Sequence, residues 1–162
     1  MKKNDACLIT AIFCDDIRQE VGNKLSFMGC YQGELVVQMA PVTLPKLCVF
    51  ASILTPKEKP LKSLMLRVVQ DGDIELARVD FPKEGLTVSS QILDETSTRI
   101  IHSTAIVFSP FAIEKSTVLR LMATTEEGEI TGPRFLVKVV ATKESAAQSV
   151  KKPKTARPRT IK

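Results

Sequence analysis

Apolar and polar side chains alternate with a period of two through most of this chain. That alternation restricts the fold more than any other feature. Between Ser63 and Phe81, Leu64, Leu66 and Val68 alternate with Met65, Arg67 and Val69. Further on, Ile74, Leu76 and Arg78 alternate with Glu75, Ala77 and Val79. Successive side chains of a strand point to opposite faces, so the pattern predicts two strands. Asp71-Gly72 lies between them. It predicts a two-residue hairpin turn, because this pair tolerates the positive φ angles such turns require.

The same reading extends along the chain. Pro45 and Pro56 enclose Lys46 to Thr55, where Leu47, Val49, Ala51 and Ile53 share one face and Cys48, Phe50 and Leu54 the other. Two apolar faces predict a central strand. Ala6 to Cys14 is nearly continuous in apolar residues, as a strand buried on both sides would be. Lys24–Tyr31 and Glu34–Met39, separated by Gly33, read as hairpin partners, and Arg99–Phe108 as another strand. Ser116–Thr124 and Arg134–Thr142 flank a Glu- and Gly-containing loop, Thr125 to Pro133. In the last segment Phe135, Val137, Val139 and Ala141 face one way and Arg134, Leu136 and Lys138 the other, the pattern of an outer strand with one wet face. Lys83 to Arg99 reads as a long loop with one short strand or helical turn.

Eight or nine strands at intervals of about ten residues, with no long amphipathic helix, predict an all-β fold. The expected architecture is an antiparallel β-sandwich, immunoglobulin-like or C2-like. Trp is absent, so no Cys…Trp…Cys pattern marks an antibody-type domain, and the label is architectural only.

Charge divides the chain in two. Of its 23 Lys and Arg residues, six (Lys151, Lys152, Lys154, Arg157, Arg159 and Lys162) fall in the last twelve positions, where there are no acids. The rest carries 17 basic against 18 acidic residues, a net of −1. The tail also holds Pro153 and Pro158 and few apolar side chains. Such a segment cannot bury enough surface to offset its ordering entropy. The expected organisation is a β-sandwich domain over residues 1–142 and a disordered basic tail over 143–162.

No apolar run approaches the roughly 20 residues of a membrane-spanning helix. The run Ala6–Cys14 follows Lys2 and Lys3, as in a secretory leader, but Asn4 and Asp5 intrude and Phe13 stands where cleavage needs a small residue. A cytoplasmic location with reduced cysteines is therefore expected. Cys7, Cys14, Cys30 and Cys48 contain no C-x-x-C pair, which argues against structural zinc. They read as small buried hydrophobes.

The run Phe13-Cys14-Asp15-Asp16-Ile17-Arg18 through Gly22-Asn23-Lys24-Leu25-Ser26-Phe27-Met28-Gly29-Cys30-Tyr31 resembles the opening of a family of small uncharacterised bacterial and phage-associated proteins. Its members share a "CDDxR…GKxSxxGxY" opening and a following Leu-Pro strand, matched here by Leu44-Pro45-Lys46-Leu47. The resemblance covers about the first 55 residues. It implies an all-β domain with no assigned activity, and brings no catalytic or binding residues with it.

Catalytic chemistry finds little support. Asp15 and Asp16 are adjacent, and in a strand they point to opposite faces, so they do not converge on one ion. Calcium needs more oxygen ligands. The expected role is to cap a turn, with Arg18 as an ion-pair partner. His102 is the only histidine and stands in a strand-like run. No G-x-S-x-G elbow, phosphate-binding glycine loop or metal-ligand spacing accompanies it. No cofactor is called for, and the expectation is a protein that is not an enzyme.

Two features remain for binding. One is the tail, whose cations can neutralise phosphates by counterion release, without aromatics to stack on bases. The other is the domain itself, whose loops and sheet edges can recognise a protein partner. Glu126, Glu127 and Glu129 form an acidic loop there. The expected function is a protein-binding module, with sequence-independent nucleic-acid binding by the tail as the alternative.

Overall fold

The computed structural model describes residues 6–86 and 96–140; the expected tail and the centre of the 83–99 segment lie outside these. Twelve strands occur: β1 (Leu8–Cys14), β2 (Asp16–Glu20), β3 (Lys24–Met28), β4 (Glu34–Val37), β5 (Val42–Leu44), β6 (Leu47–Pro56), β7 (Leu64–Gln70), β8 (Ile74–Asp80), β9 (Arg99–Phe108), β10 (Phe111–Ile113), β11 (Thr117–Thr125) and β12 (Gly128–Val139). A helical turn occupies 83–86. The all-β expectation holds.

The strands form a three-stranded sheet, β1-β6-β9, and a five-stranded sheet, β4-β12-β11-β7-β8, with two small ribbons, β2-β3 and β10-β5. All pairings are antiparallel except β4 with β12, which is parallel. The purely antiparallel expectation is corrected there. Glu34–Val37 does not pair with the strand before it; β3 pairs instead with β2, across Val21-Gly22-Asn23. The parallel partner lies about a hundred residues away, beyond the reach of local pattern.

β6 is central, as its two apolar faces require, with β1 and β9 on either side. β1 is not doubly buried. It is an edge strand, with Leu8 41% and Ile12 39% exposed. The β7–β8 hairpin forms, but its connection is Asp71-Gly72-Asp73, since Gln70 pairs with Ile74. Asp71 (φ 52°) and Gly72 (φ 100°) adopt the expected left-handed conformations. The expected loop Thr125–Pro133 shrinks to Glu126-Glu127, because Thr125 already pairs with Gly128. Gly132-Pro133 is not a break; it lies in β12 at a register shift opposite Leu121. A side chain at Gly132 would meet the Leu121 carbonyl at 2.8 Å and Ile9 at 3.0 Å.

Inward residues of both sheets belong to one hydrophobic cluster, including Val49, Ile53, Leu66, Leu121, Phe135 and Val137. Phe13 of β1 stacks on Phe135 of β12 with centroids 4.3 Å apart, and Tyr31 packs against the same ring at 5.4 Å.

Candidate functional site

The two acids of the β11–β12 turn, and Glu129 just inside β12, are each engaged within the chain. The Glu126 carboxylate accepts the Lys62 and Ser63 backbone N–H groups at 3.0 and 3.1 Å. Partial burial opposes its ionisation, but these bonds and its own N–H prevail and hold the carboxyl below the usual range. Glu127 pairs with Lys59. Glu129 pairs with Arg67, two strands away on β7. The turn is thus clipped to the segment before β7. Beside it lies a cleft of about 320 Å³, lined in part by Cys7, Thr55 and Leu61. Among the described residues no group of three or more His, Cys, Asp or Glu is placed to hold a metal. The basic-tail residues Lys151 to Lys162 lie outside the described residues.

The Asp15-Asp16 pair is a corner. Asp16 binds Lys46 at 2.7 Å and Arg18 at 3.2 Å, and these two cations hold its carboxyl below the usual value. Asp15 accepts the Tyr31 hydroxyl. Gly29, at φ 64°, passes so close that a Cβ there would sit 2.6 Å from the Asp15 carboxyl carbon. The "CDD…GxY" spacing therefore closes one structural clamp.

Cys14 and Cys48 are buried register partners, but Cys30 is exposed, contrary to the buried reading. Burial, then the neighbouring thiols Cys48 and Cys30 and the Asp15 carboxylate, push the Cys14 thiol up to about 11. His102 is 4% exposed on the inner face of β9. It meets Phe81 edge-on at 6.4 Å, and its Nε2 has no hydrogen-bond partner. Burial lowers its basicity. It is buried with an unpartnered ring nitrogen.

What sequence reading missed is the outer face of the three-stranded sheet. Register places Leu8, Leu54 and Ile101 in one row across it, and Ile12, Phe50 and Ala105 in another. Between them runs a hydroxyl row, Thr10, Ser52 and Ser103, in which the two serines bond at 2.8 Å. Cys14, Cys48 and Val107 form the last row. None of these four rows carries a charge; Arg99, opposite Pro56, stands at the start of β9 on the same face. Ile101 is 57% and Val107 53% exposed. The β2–β3 ribbon touches only one end, where Phe27 meets Phe50 edge-on at 5.1 Å. The outer face of the five-stranded sheet is the opposite: Arg67, Arg78, Asp80, Arg120, Glu129 and Arg134 populate it.

The signal was present as charge-free odd positions in the Ile101–Val107 run, but only register shows that three strands share it. No family model, curated protein or solved structure matches this chain.

Proposed function

We propose that this protein is a non-enzymatic protein-binding module, built as a β-sandwich of immunoglobulin-like or C2-like architecture. Recognition uses the uncharged rows on the outer face of β1-β6-β9 and the edge beside them. The observation that supports this is the exposure of Ile101 and Val107 on a sheet face whose four central rows are uncharged. Scattered surface apolar residues are ordinary, whereas a contiguous patch marks an interaction site. The acidic turn is a weaker candidate, because its carboxylates already have partners.

The test is an affinity pull-down from nuclease-treated lysate, with full-length protein and residues 1–142 as parallel baits. A partner held by both, and lost when Ile101 and Val107 are changed to Lys, supports the reading. Partners held only by the full-length bait, or lost on nuclease treatment, overturn it in favour of the tail. Six cations there are enough to give a log K against log salt slope of roughly −5 on duplex DNA.

A further inference from the structure

The edges of the two sheets are not alike. β4 is four residues long. β8 carries Glu75, Arg78 and Asp80, and its pairing with β7 shifts register after Val68. β1 runs against β12 where Gly132 meets Ile9. Short length, charge, bulges and cover are the devices that keep sheet edges from pairing with other chains. Beyond Arg99 at its start, β9 shows none of them among the described residues. It is ten residues long and pairs with β6 without a register shift. From Ile100 to Phe108 it contains no proline and no Lys, Arg, Asp or Glu. Among the described residues, no strand pairs with its other edge.

The order of side chains along β9 also favours one occupant. Antiparallel pairing of β9 with an identical strand, around a twofold axis at Thr104, keeps inward residues opposite inward ones. Ile100 then faces Phe108 of the second copy, and His102 faces Ile106. On the outer face Ile101 meets Val107 and Ser103 meets Ala105. Every pair is uncharged, and the bulky apolar residues meet one another. Directly opposed side chains of this kind stabilise a pairing, and like charges would oppose it.

We propose that this protein self-associates through β9, so that β1-β6-β9 of two copies join into one six-stranded sheet. This rests on the binding-module reading and names its partner as a second copy of the chain. The contact is isologous, so it closes at the dimer. Nine paired residues span about 30 Å. Such a contact is small beside the roughly 800 Å² per partner of a standard interface, so association is expected to depend on concentration.

The experiment is sedimentation of the full chain from about 5 to about 500 µM, a range suited to a small interface. The unaltered protein is expected to pass from monomer to dimer. Ile101→Lys/Val107→Lys, at two exposed positions, is expected to stay monomeric with unchanged circular dichroism. A second pair of variants tests the register. Ile101→Lys and Val107→Glu are each weakened alone, but mixed they place Lys opposite Glu and should associate about fivefold more tightly than either alone.

A monomer at all concentrations overturns self-association, as does a double-lysine variant that still dimerises or a mixture no tighter than its components. If the monomer instead binds a different protein in a manner lost in the double-lysine variant, only the self-pairing falls. If β9 substitution alters no binding of any kind, the binding-module reading falls with it.

Discussion

Phe135→Ala tests how the two sheets are joined. Phe135 is fully buried and stacks on Phe13, itself 5% exposed, with planes 6° apart. One ring comes from β12 and the other from β1, so the contact ties the five-stranded sheet to the three-stranded one. Truncating a buried Phe costs about 3–5 kcal/mol through lost transfer energy and the cavity left behind. Loss of the ring pair with Phe13 is already within that range, and Tyr31, which also packs on Phe135, cannot collapse fully while its hydroxyl is held by Asp15. A loss of about 4 kcal/mol is therefore expected. With a urea m-value of about 2 kcal/mol/M, the midpoint should fall by roughly 2 M at unchanged m. Phe27→Ala is the internal comparison. That ring is half-buried and meets Phe50 only edge-on, so a cost of about 1–2 kcal/mol is expected. If Phe135→Ala moved the midpoint no further than Phe27→Ala, the central position assigned to this ring pair would be wrong.

Other expectations follow from single sites. Gly29→Ala should destabilise by about 2 kcal/mol or more in the same unfolding assay, because the residue is left-handed and its new methyl would displace Asp15 from Tyr31. His102→Leu should be neutral or stabilising, since it removes a buried nitrogen with no partner. It should also flatten one pH dependence. Burial depresses the folded-state basicity of His102, so below about pH 6.5 the unfolded chain takes up a proton that the folded chain does not. Stability should therefore fall as pH drops from about 6.5 toward the lower folded-state pKa, and His102→Leu should lose that slope in urea titrations at each pH. Among the cysteines, Cys30 should react first with a thiol reagent. Cys14 and Cys48 should react only on unfolding, as thiol counting with and without denaturant would show; equal native rates would contradict their burial. Glu126→Ala should quicken hydrogen exchange at the Lys62 and Ser63 amides severalfold while leaving β6 protected.

How legible the fold was depended on how local each signal was. β6 was readable because both of its faces are apolar, and the β7–β8 hairpin because Asp71-Gly72 is a strong turn signal. Neither its three-residue connection nor the register shift after Val68 leaves a mark in the alternation. Ala6–Cys14 misled because an apolar strand in an uncovered sheet has the same composition as one buried on both sides. Gly128, Gly132 and Pro133 resembled chain breakers, yet a tight turn and a register shift accommodate them inside β12. The β4–β12 pairing had no local signature at all. Of the candidate site, the chain order of Ile101 to Val107 was visible, but that it joins Leu8, Ile12 and Phe50 on one face depends on long-range register. The Asp15–Gly29–Tyr31 clamp was visible only as spacing.

The parallel pairing of β4 with β12 also has a consequence in time. Leu35 pairs with Val137, so β4 waits about a hundred residues of synthesis for the strand that closes the five-stranded sheet. At about 5–20 residues per second, roughly 5–20 s separate synthesis of the two. Until then β4 has no partner, β11 has one bare edge, and Phe13 has no ring to stack on. The nascent chain is thus exposed to mispairing through β4 and β11 as well as β9, and any truncation before Gly128 would make that interval permanent.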